Sequence, residues 1–200
     1  MNTPGKPAST LLPPRRDGGE HRPRTTEEAA WLLIPRLSRA LPGLCRDLDG
    51  LSIMEVPADV GGGWDAEADL LELPAWSHRD NGYRYLALSE HLAHELWHRR
   101  SVRTRFWETP SGRWWLRSLT PAAQEYLDEC RAGLVLGHDD EYFSDLRPEA
   151  GMPTVLHRVS EELIAGRCGY AASRWLEAEL RTGRPLKAVR RGIPPLATRP

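Results

Sequence analysis

The sequence has few cysteines, almost no net charge and no long apolar run, and each shortage argues against a class of protein. Its three cysteines, Cys45, Cys130 and Cys168, are an odd number without paired spacing. Neither a disulfide framework nor a four-cysteine zinc site is therefore predicted. The formal net charge of −1 predicts no general attraction to nucleic acid or to acidic membranes.

Apolar residues are dispersed along the chain. Residues 1–19 contain prolines and charged residues where a secretory signal would need a continuous apolar run, and no later run is long enough to cross a bilayer. We therefore expect a cytoplasmic protein with no membrane partner. Two hundred residues are enough for one domain with its own core, and the sequence gives no indication of the oligomeric state.

Composition divides the chain into three parts. Residues 1–24 are rich in proline, glycine, arginine and serine, and we expect a disordered arm because such a segment cannot offset the entropy lost on ordering. Residues 25–180 carry the periodic apolar pattern of a folded domain. Residues 181–200 are basic, contain prolines and lack acidic residues, which predicts a loose tail.

Within the domain, the patterns predict an α+β fold. Residues 25–28 form a capping-box signature that begins a helix, residues 51–56 alternate as a strand does, and residues 61–74 combine a glycine turn with a second strand. A small sheet therefore precedes the helix that carries the main motif. A further helix is predicted over residues 120–137, and two short helices joined at residues 166–169 follow it.

The strongest functional signal is the segment 94–98, His-Glu-Leu-Trp-His. In a helix, His94 and His98 point the same way and Glu95 lies over the same edge. Two neutral imidazoles suit Zn²⁺, and a carboxylate beside the metal can take a proton from water. The alternative is a surface helix with two solvated histidines, but apolar residues recur every four positions through the segment and predict one packed side.

A catalytic zinc site needs a third protein ligand, and the helix predicted over residues 120–137 offers two. Glu125 and Glu129 lie one turn apart in a stripe of small residues, so one could bind the metal while the other orients a histidine. The sequence does not decide between them, and both could instead be exposed acids. A second group of candidates follows this helix: His138, Asp139 and Asp140. His138 could alternatively stabilise the oxyanion, and we expect His91 to flank the site.

Arginines and large aromatic side chains are interleaved just after the motif. The arginines could form a basic rim for a phosphate backbone, although a solvated face is the simpler interpretation. The aromatic residues more often pack in a core than line a pocket. The residues concerned are Arg99, Arg100, Arg103, Arg105, Arg113, Phe106, Trp107, Trp114 and Trp115.

The order of sheet, HExxH helix and glutamate helix is similar to that of the glutamate-type zinc peptidases, and most similar to the ImmA/IrrE family of small bacterial metallopeptidases. Residues 159–163, Val-Ser-Glu-Glu-Leu, match a pattern late in that family. The resemblance implies a zincin-like sheet packed on the motif helix, His94 and His98 as zinc ligands, and Glu95 as the catalytic base. It also implies a protein substrate of the transcriptional repressor type.

Two other functions are consistent with the sequence. A DNA-associated regulator with a structural zinc site would need a fourth ligand, such as His138 or His91, and could use the last two helices as a helix-turn-helix. A SprT-like protease acting on DNA-bound proteins is suggested by the arginine and tryptophan stretch. It predicts stimulation by single-stranded DNA.

Overall fold

The computed structural model describes residues 23, 25–57, 62–75, 82–134, 155–184, 186–189 and 193–194. For residues 82–84 it describes the backbone alone. The predicted arm, apart from residue 23, lies outside the described residues, as do His138, Asp139 and Asp140. The helices are α1 (Thr26–Ala40), α2 (Gly82–Arg103), α3 (Pro110–Arg131) and α4 (Val155–Thr182), and a 3-10 turn spans Phe106–Glu108. The strands are β1 (Ser52–Val56), β2 (Gly63–Asp65) and β3 (Leu70–Pro74). The α+β class is confirmed.

The three strands form one small mixed sheet in the order β1-β3-β2. Strand β1 runs parallel to β3, with Ile53 opposite Leu71, and β2 runs antiparallel to β3, with Trp64 opposite Leu71. Because side chains alternate across a strand, Ile53, Leu71 and Leu73 enter the main core. Strand β2 and its turn contact α2, so the sheet lies beside the motif helix.

Helices α1 and α2 contact the sheet, α4 packs on both of these helices, and all three share the main core with the sheet. Helix α2 packs most extensively on α4, and Gly169 permits a close approach. A Cβ added at Gly169 would lie 2.6 Å from the carbonyl oxygen of Glu90. The two helices therefore meet at a distance that only glycine allows at this position.

Helix α3 begins ten residues before the predicted start at Thr120. Its N-cap is Thr109, whose hydroxyl accepts a hydrogen bond from the backbone N–H of Gly112 at 3.0 Å, and Pro121 lies inside the helix. Gly133, with φ of 69°, follows its end, because glycine adopts this left-handed conformation without strain. The buried side of α3 packs on α4 through a second cluster of Ala123, Leu127, Cys130 and Val159.

The prediction of two short C-terminal helices is wrong, because α4 is one continuous helix of 28 residues. Gly166 and Gly169 lie inside it, where a glycine costs only about 1 kcal/mol relative to alanine, and at Gly169 close packing against α2 offsets that cost. The helix-turn-helix required by the DNA-regulator alternative therefore lacks its turn at this position. Among the described residues, no helix is both long and apolar enough to span a bilayer.

The described parts of the tail differ from the loose segment expected over residues 181–200. The indole N–H of Trp175 donates to the carbonyl of Lys187 at 3.0 Å, and the backbone N–H of Val189 donates to the carbonyl of Ala40 at 2.8 Å. Leu186, Val189 and Ile193 pack against the main core. These apolar residues tie positions 186–189 and 193–194 to the domain.

Candidate metal centre

Two histidines of α2 face each other on one side of the helix. The four-residue spacing places His94 and His98 one turn apart, and their Nε2 atoms are 3.0 Å apart. Leu88, Leu92 and Leu96 of the same helix are buried, as their spacing predicts. One side of α2 therefore packs in the core while the adjoining edge presents the two imidazoles.

Glu162 of α4 completes a group of three potential ligands with the two histidines. Its carboxylate oxygens lie 3.2 Å from the Nε2 of His94 and 3.5 Å from the Nε2 of His98. Three ligand atoms that bind one ion at 2.0–2.2 Å in tetrahedral geometry would lie about 3.4 Å from one another. The separations between these three side chains therefore fit a single small cation.

Glu125 and Glu129, the predicted candidates for the third ligand, are not in this group. Both are exposed, because α3 turns Ala123, Leu127 and Cys130 towards α4 instead. Within the described residues, the backbone of α3 approaches those of α4 and the 3-10 turn but not that of α2. The alternative reading of these two glutamates, as exposed acids on an amphipathic helix, is the one that matches their positions.

Sequence reasoning missed Glu162 because it resembled part of an ordinary helix start. Glu161 and Glu162 follow a serine, a combination typical of a capped and acidic first turn. In the structure this pair lies well inside α4, which begins at Val155, and Glu161 is only 3% exposed. Two consecutive acids within an apolar stretch were the available signal, since buried carboxylates need partners.

Glu95 lies beside the three potential ligands and is not one of them. One of its carboxylate oxygens is 4.0 Å from the Nε2 of His94 and 3.9 Å from the Nε2 of His91. Burial raises the pKa of the Glu95 carboxyl, an effect that the nearby His98 and His94 partly offset. The backbone N–H of Trp64 in β2 also donates a hydrogen bond to it. Glu95 is thus a buried carboxylate with a raised pKa, the environment that suits a general base.

Opposite charges determine the electrostatics of the ligand group. Burial alone would lower the pKa of His98, but the Glu162 and Glu161 carboxylates outweigh it and raise that pKa well above its ordinary value. Burial alone would raise the pKa of Glu162, yet His98 and His94 together lower it well below the usual range. The group therefore holds the Glu162 carboxylate ionised and paired with His98 and His94.

A second buried carboxylate lies on the other side of the His98 ring. Glu161 accepts three bonds: from the Nδ1 of His98 at 3.1 Å, from the hydroxyl of Ser101 at 3.0 Å and from the indole N–H of Trp107 at 2.6 Å. Sequence reasoning missed this contact too, because the partners lie 54 to 63 positions from Glu161 in the chain.

His91 flanks the site, as expected. Burial lowers the pKa of its imidazole to about 4, so the ring is neutral at pH 7, and it donates to the backbone carbonyl of Glu72 in β3. Gly62 makes room for it, because a Cβ there would lie 2.7 Å from the Nε2 of His91. His91 thus contacts the sheet and is not in the ligand group.

The arginines after the motif form the expected solvated face only in part, because Arg103, Arg105 and Arg113 are exposed and the other two are not. Arg99 and Arg100 are buried, and they pair with Asp69 and Asp47 respectively, with shortest distances of 2.7 Å. Arg103 also pairs with Asp69, and Arg105 pairs with Glu108. Four of the five arginines thus have acidic partners. Phe106 and Trp107 are buried, as the packing interpretation predicted, whereas Trp114 is exposed.

No protein-family model, curated protein or solved structure matches this chain.

Proposed function

We propose that the protein is a zinc-dependent endopeptidase with a zincin-like site. The observation that carries this proposal is the convergence of His94, His98 and Glu162 on one point, with Glu95 buried directly beside them. Two imidazoles and one carboxylate are a ligand set that catalytic zinc sites use, with one coordination position left open. The resemblance of the motif helix to the ImmA/IrrE peptidases supports the same class.

The donor chemistry favours zinc in a catalytic role over a structural one. Imidazole suits zinc better than it suits magnesium or calcium, which prefer oxygen ligands. A structural zinc site is closed by four protein ligands, whereas the group found among the described residues has three. The buried Glu95 beside the group also supports a catalytic role, because a general base must lie close to the metal-activated water.

Each side chain then has a defined task. His94, His98 and Glu162 would hold the ion, which when bound would supply the Lewis acidity that activates water and a peptide carbonyl. Glu95 accepts a proton from the attacking water and passes it to the leaving amine. Because burial raises its pKa, Glu95 accepts the proton more readily than a solvated carboxyl would.

The substrate class rests on resemblance. Members of the ImmA/IrrE family cleave repressor-type proteins, so we propose a regulatory protein as the substrate and the cytoplasm as the place of action. The DNA-dependent protease is the less favoured reading, because the arginines that suggested it are largely engaged with acids of the same chain.

The test compares wild type with three isosteric variants, Glu95→Gln, Glu162→Gln and Glu129→Gln. Zinc content is measured after dialysis, and proteolysis is measured by mass spectrometry on repressors co-expressed from the native gene neighbourhood. Glu129→Gln is the matched control, since that side chain is exposed.

We expect Glu95→Gln to keep the zinc and lose cleavage, Glu162→Gln to lose both, and Glu129→Gln to keep both. A wild type without zinc would refute the proposal. Full cleavage by Glu95→Gln would show that the site is not a peptidase centre.

A further inference from the structure

The ring of His98 lies between two consecutive acids of α4. Its Nδ1 is 3.1 Å from Glu161 and its Nε2 is 3.5 Å from Glu162. Only Glu162 belongs to the group that could hold a metal. The two carboxylates therefore have different relations to the same imidazole, although they are neighbours in the chain.

Three side chains form hydrogen bonds with the carboxylate of Glu161. An indole N–H can only donate, and a hydroxyl and an imidazole N–H can donate as well, so three donors converge on a carboxylate that is 3% exposed. One oxygen receives His98, while the other receives Ser101 and Trp107. A buried carboxylate is stable when hydrogen bonds replace its lost hydration. These donors thus keep Glu161 as an acceptor.

An acceptor at Nδ1 decides which nitrogen of His98 is available. Because the carboxylate accepts, Nδ1 carries the proton, and a neutral imidazole then has its lone pair on Nε2. That nitrogen is the one that faces His94 and Glu162. If Glu161 were absent, the ring could take the opposite tautomer or rotate about its side-chain bonds.

We propose that Glu161 is a positioning residue for the metal centre, which fixes the tautomer and orientation of His98 and thereby sets the affinity for zinc. This inference rests on the proposed function. Glu161 touches neither the metal position nor a substrate, so it acts through His98 alone.

Aromatic packing holds Trp107, a hydrogen-bond donor to Glu161, in place. Trp107, its closest donor, stacks edge-on against Phe106 with ring centroids 5.1 Å apart, and Phe106 does the same with Trp97 of α2. All three aromatic residues are buried. The 3-10 turn after α2 thereby connects the motif helix to the carboxylate that orients its second histidine.

The affinity experiment uses full-length wild type, Glu161→Gln and Ser101→Ala, titrated with zinc against a chromophoric chelator. Glutamine keeps the shape but offers one acceptor oxygen and one amide that cannot accept, so His98 and Trp107 can no longer both be satisfied. We expect zinc affinity to fall about 10- to 100-fold in Glu161→Gln, the usual effect of losing a partner of a metal-bound histidine. Ser101→Ala removes one donor to the same carboxylate but leaves the bonds from His98 and Trp107 in place, so we expect a smaller fall in zinc affinity than in Glu161→Gln.

The second measurement is long-range ¹H–¹⁵N NMR of zinc-loaded protein with labelled histidines. Wild type should show a slowly exchanging, downfield Nδ1 proton on His98, and Glu161→Gln should lose it while Ser101→Ala retains it. The absence of that proton in zinc-loaded wild type would overturn the inference even if no variant folds. Equal zinc affinity of wild type and Glu161→Gln would overturn the inference alone, whereas a wild type that binds no zinc would overturn the proposed function as well.

Discussion

The substitution Asp69→Asn tests whether one buried ion pair holds the β2–β3 hairpin against α2. Asp69 accepts two hydrogen bonds from Arg99, at 2.7 and 2.8 Å, one from Arg103 at 2.8 Å and one from the indole of Trp64 at 3.1 Å. Asparagine preserves the size of the side chain and tolerates the left-handed backbone at this position, where φ is 47°. The substitution therefore removes the charge without adding strain.

The magnitude follows from the burial of Arg99, which is only 1% exposed. Removing one partner of a buried pair costs about 3–5 kcal/mol, because the other charge is left without compensation. The Asp69 side chain is itself 20% exposed, so water screens part of this loss. We expect a decrease of about 3 kcal/mol in the free energy of unfolding, or a fall of roughly 6–12 °C in Tm for a chain of this size.

Asp47→Asn is the matched control. Asp47 also has a positive φ, 53°, and also pairs with a buried arginine of α2, Arg100, at 2.7 Å. Its carboxylate, however, is 70% exposed against 20% for Asp69, so water can replace it beside the arginine, and we expect a loss of at most about 1 kcal/mol. Urea denaturation of both variants and wild type, in the presence of a chelator, would measure the difference. Equal effects of the two substitutions would refute the argument from burial.

The same pair predicts a pH dependence with a definite sign. Hydrogen bonds from Arg99 are the main cause that lowers the pKa of Asp69 below its ordinary value. A lowered folded-state pKa gives stability that is fully present above the unfolded value of about 3.9 and is lost as the pH falls through the folded-state value. The difference between wild type and Asp69→Asn should therefore be constant from pH 7 to about pH 5 and shrink below pH 4. A difference that grows on acidification would contradict the assignment.

Two glycine pairs give further predictions. Gly169→Ala should lower both Tm and zinc affinity, because its Cβ would collide with the backbone of α2 and separate the two helices that carry the ligands. Gly166→Ala has open space around it and should stabilise the helix by about 1 kcal/mol. Gly62→Ala should lower Tm because its Cβ would meet the β3 backbone and the His91 ring, whereas Gly63→Ala meets nothing within 4 Å. Thermal melts and zinc titrations of each pair check these outcomes, and equal behaviour within either pair would contradict them.

Features of the fold and the site that depend on residues close together in the chain could be predicted from the sequence. The predicted N-cap at Thr25 forms, with its hydroxyl accepting from the backbone N–H of Glu28 at 3.1 Å, because both residues lie within one turn. The facing histidines of α2 follow from the helix period alone. The burial of Arg99 could not be predicted in this way, since it depends on Asp69, 30 positions earlier in the chain. An arginine beside other arginines is usually solvated, and only the tertiary partner reverses that expectation.

Glu162, the third member of the ligand group, could not be predicted either, because its place in the group depends on helix packing. A glutamate on any helix near the motif satisfies the sequence criterion, so Glu125, Glu129 and Glu162 were equal in chemistry, and composition favoured the small-residue stripe of α3. What separates them is which helix touches α2. Gly169 lets α4 approach α2 closely, whereas the backbone of α3 approaches α4 and the 3-10 turn but not α2. With ligands divided between α2 and α4, the free energy of metal binding would also hold these two helices together. Helix packing, and not the position of acids along the chain, thus decides the geometry of the candidate centre.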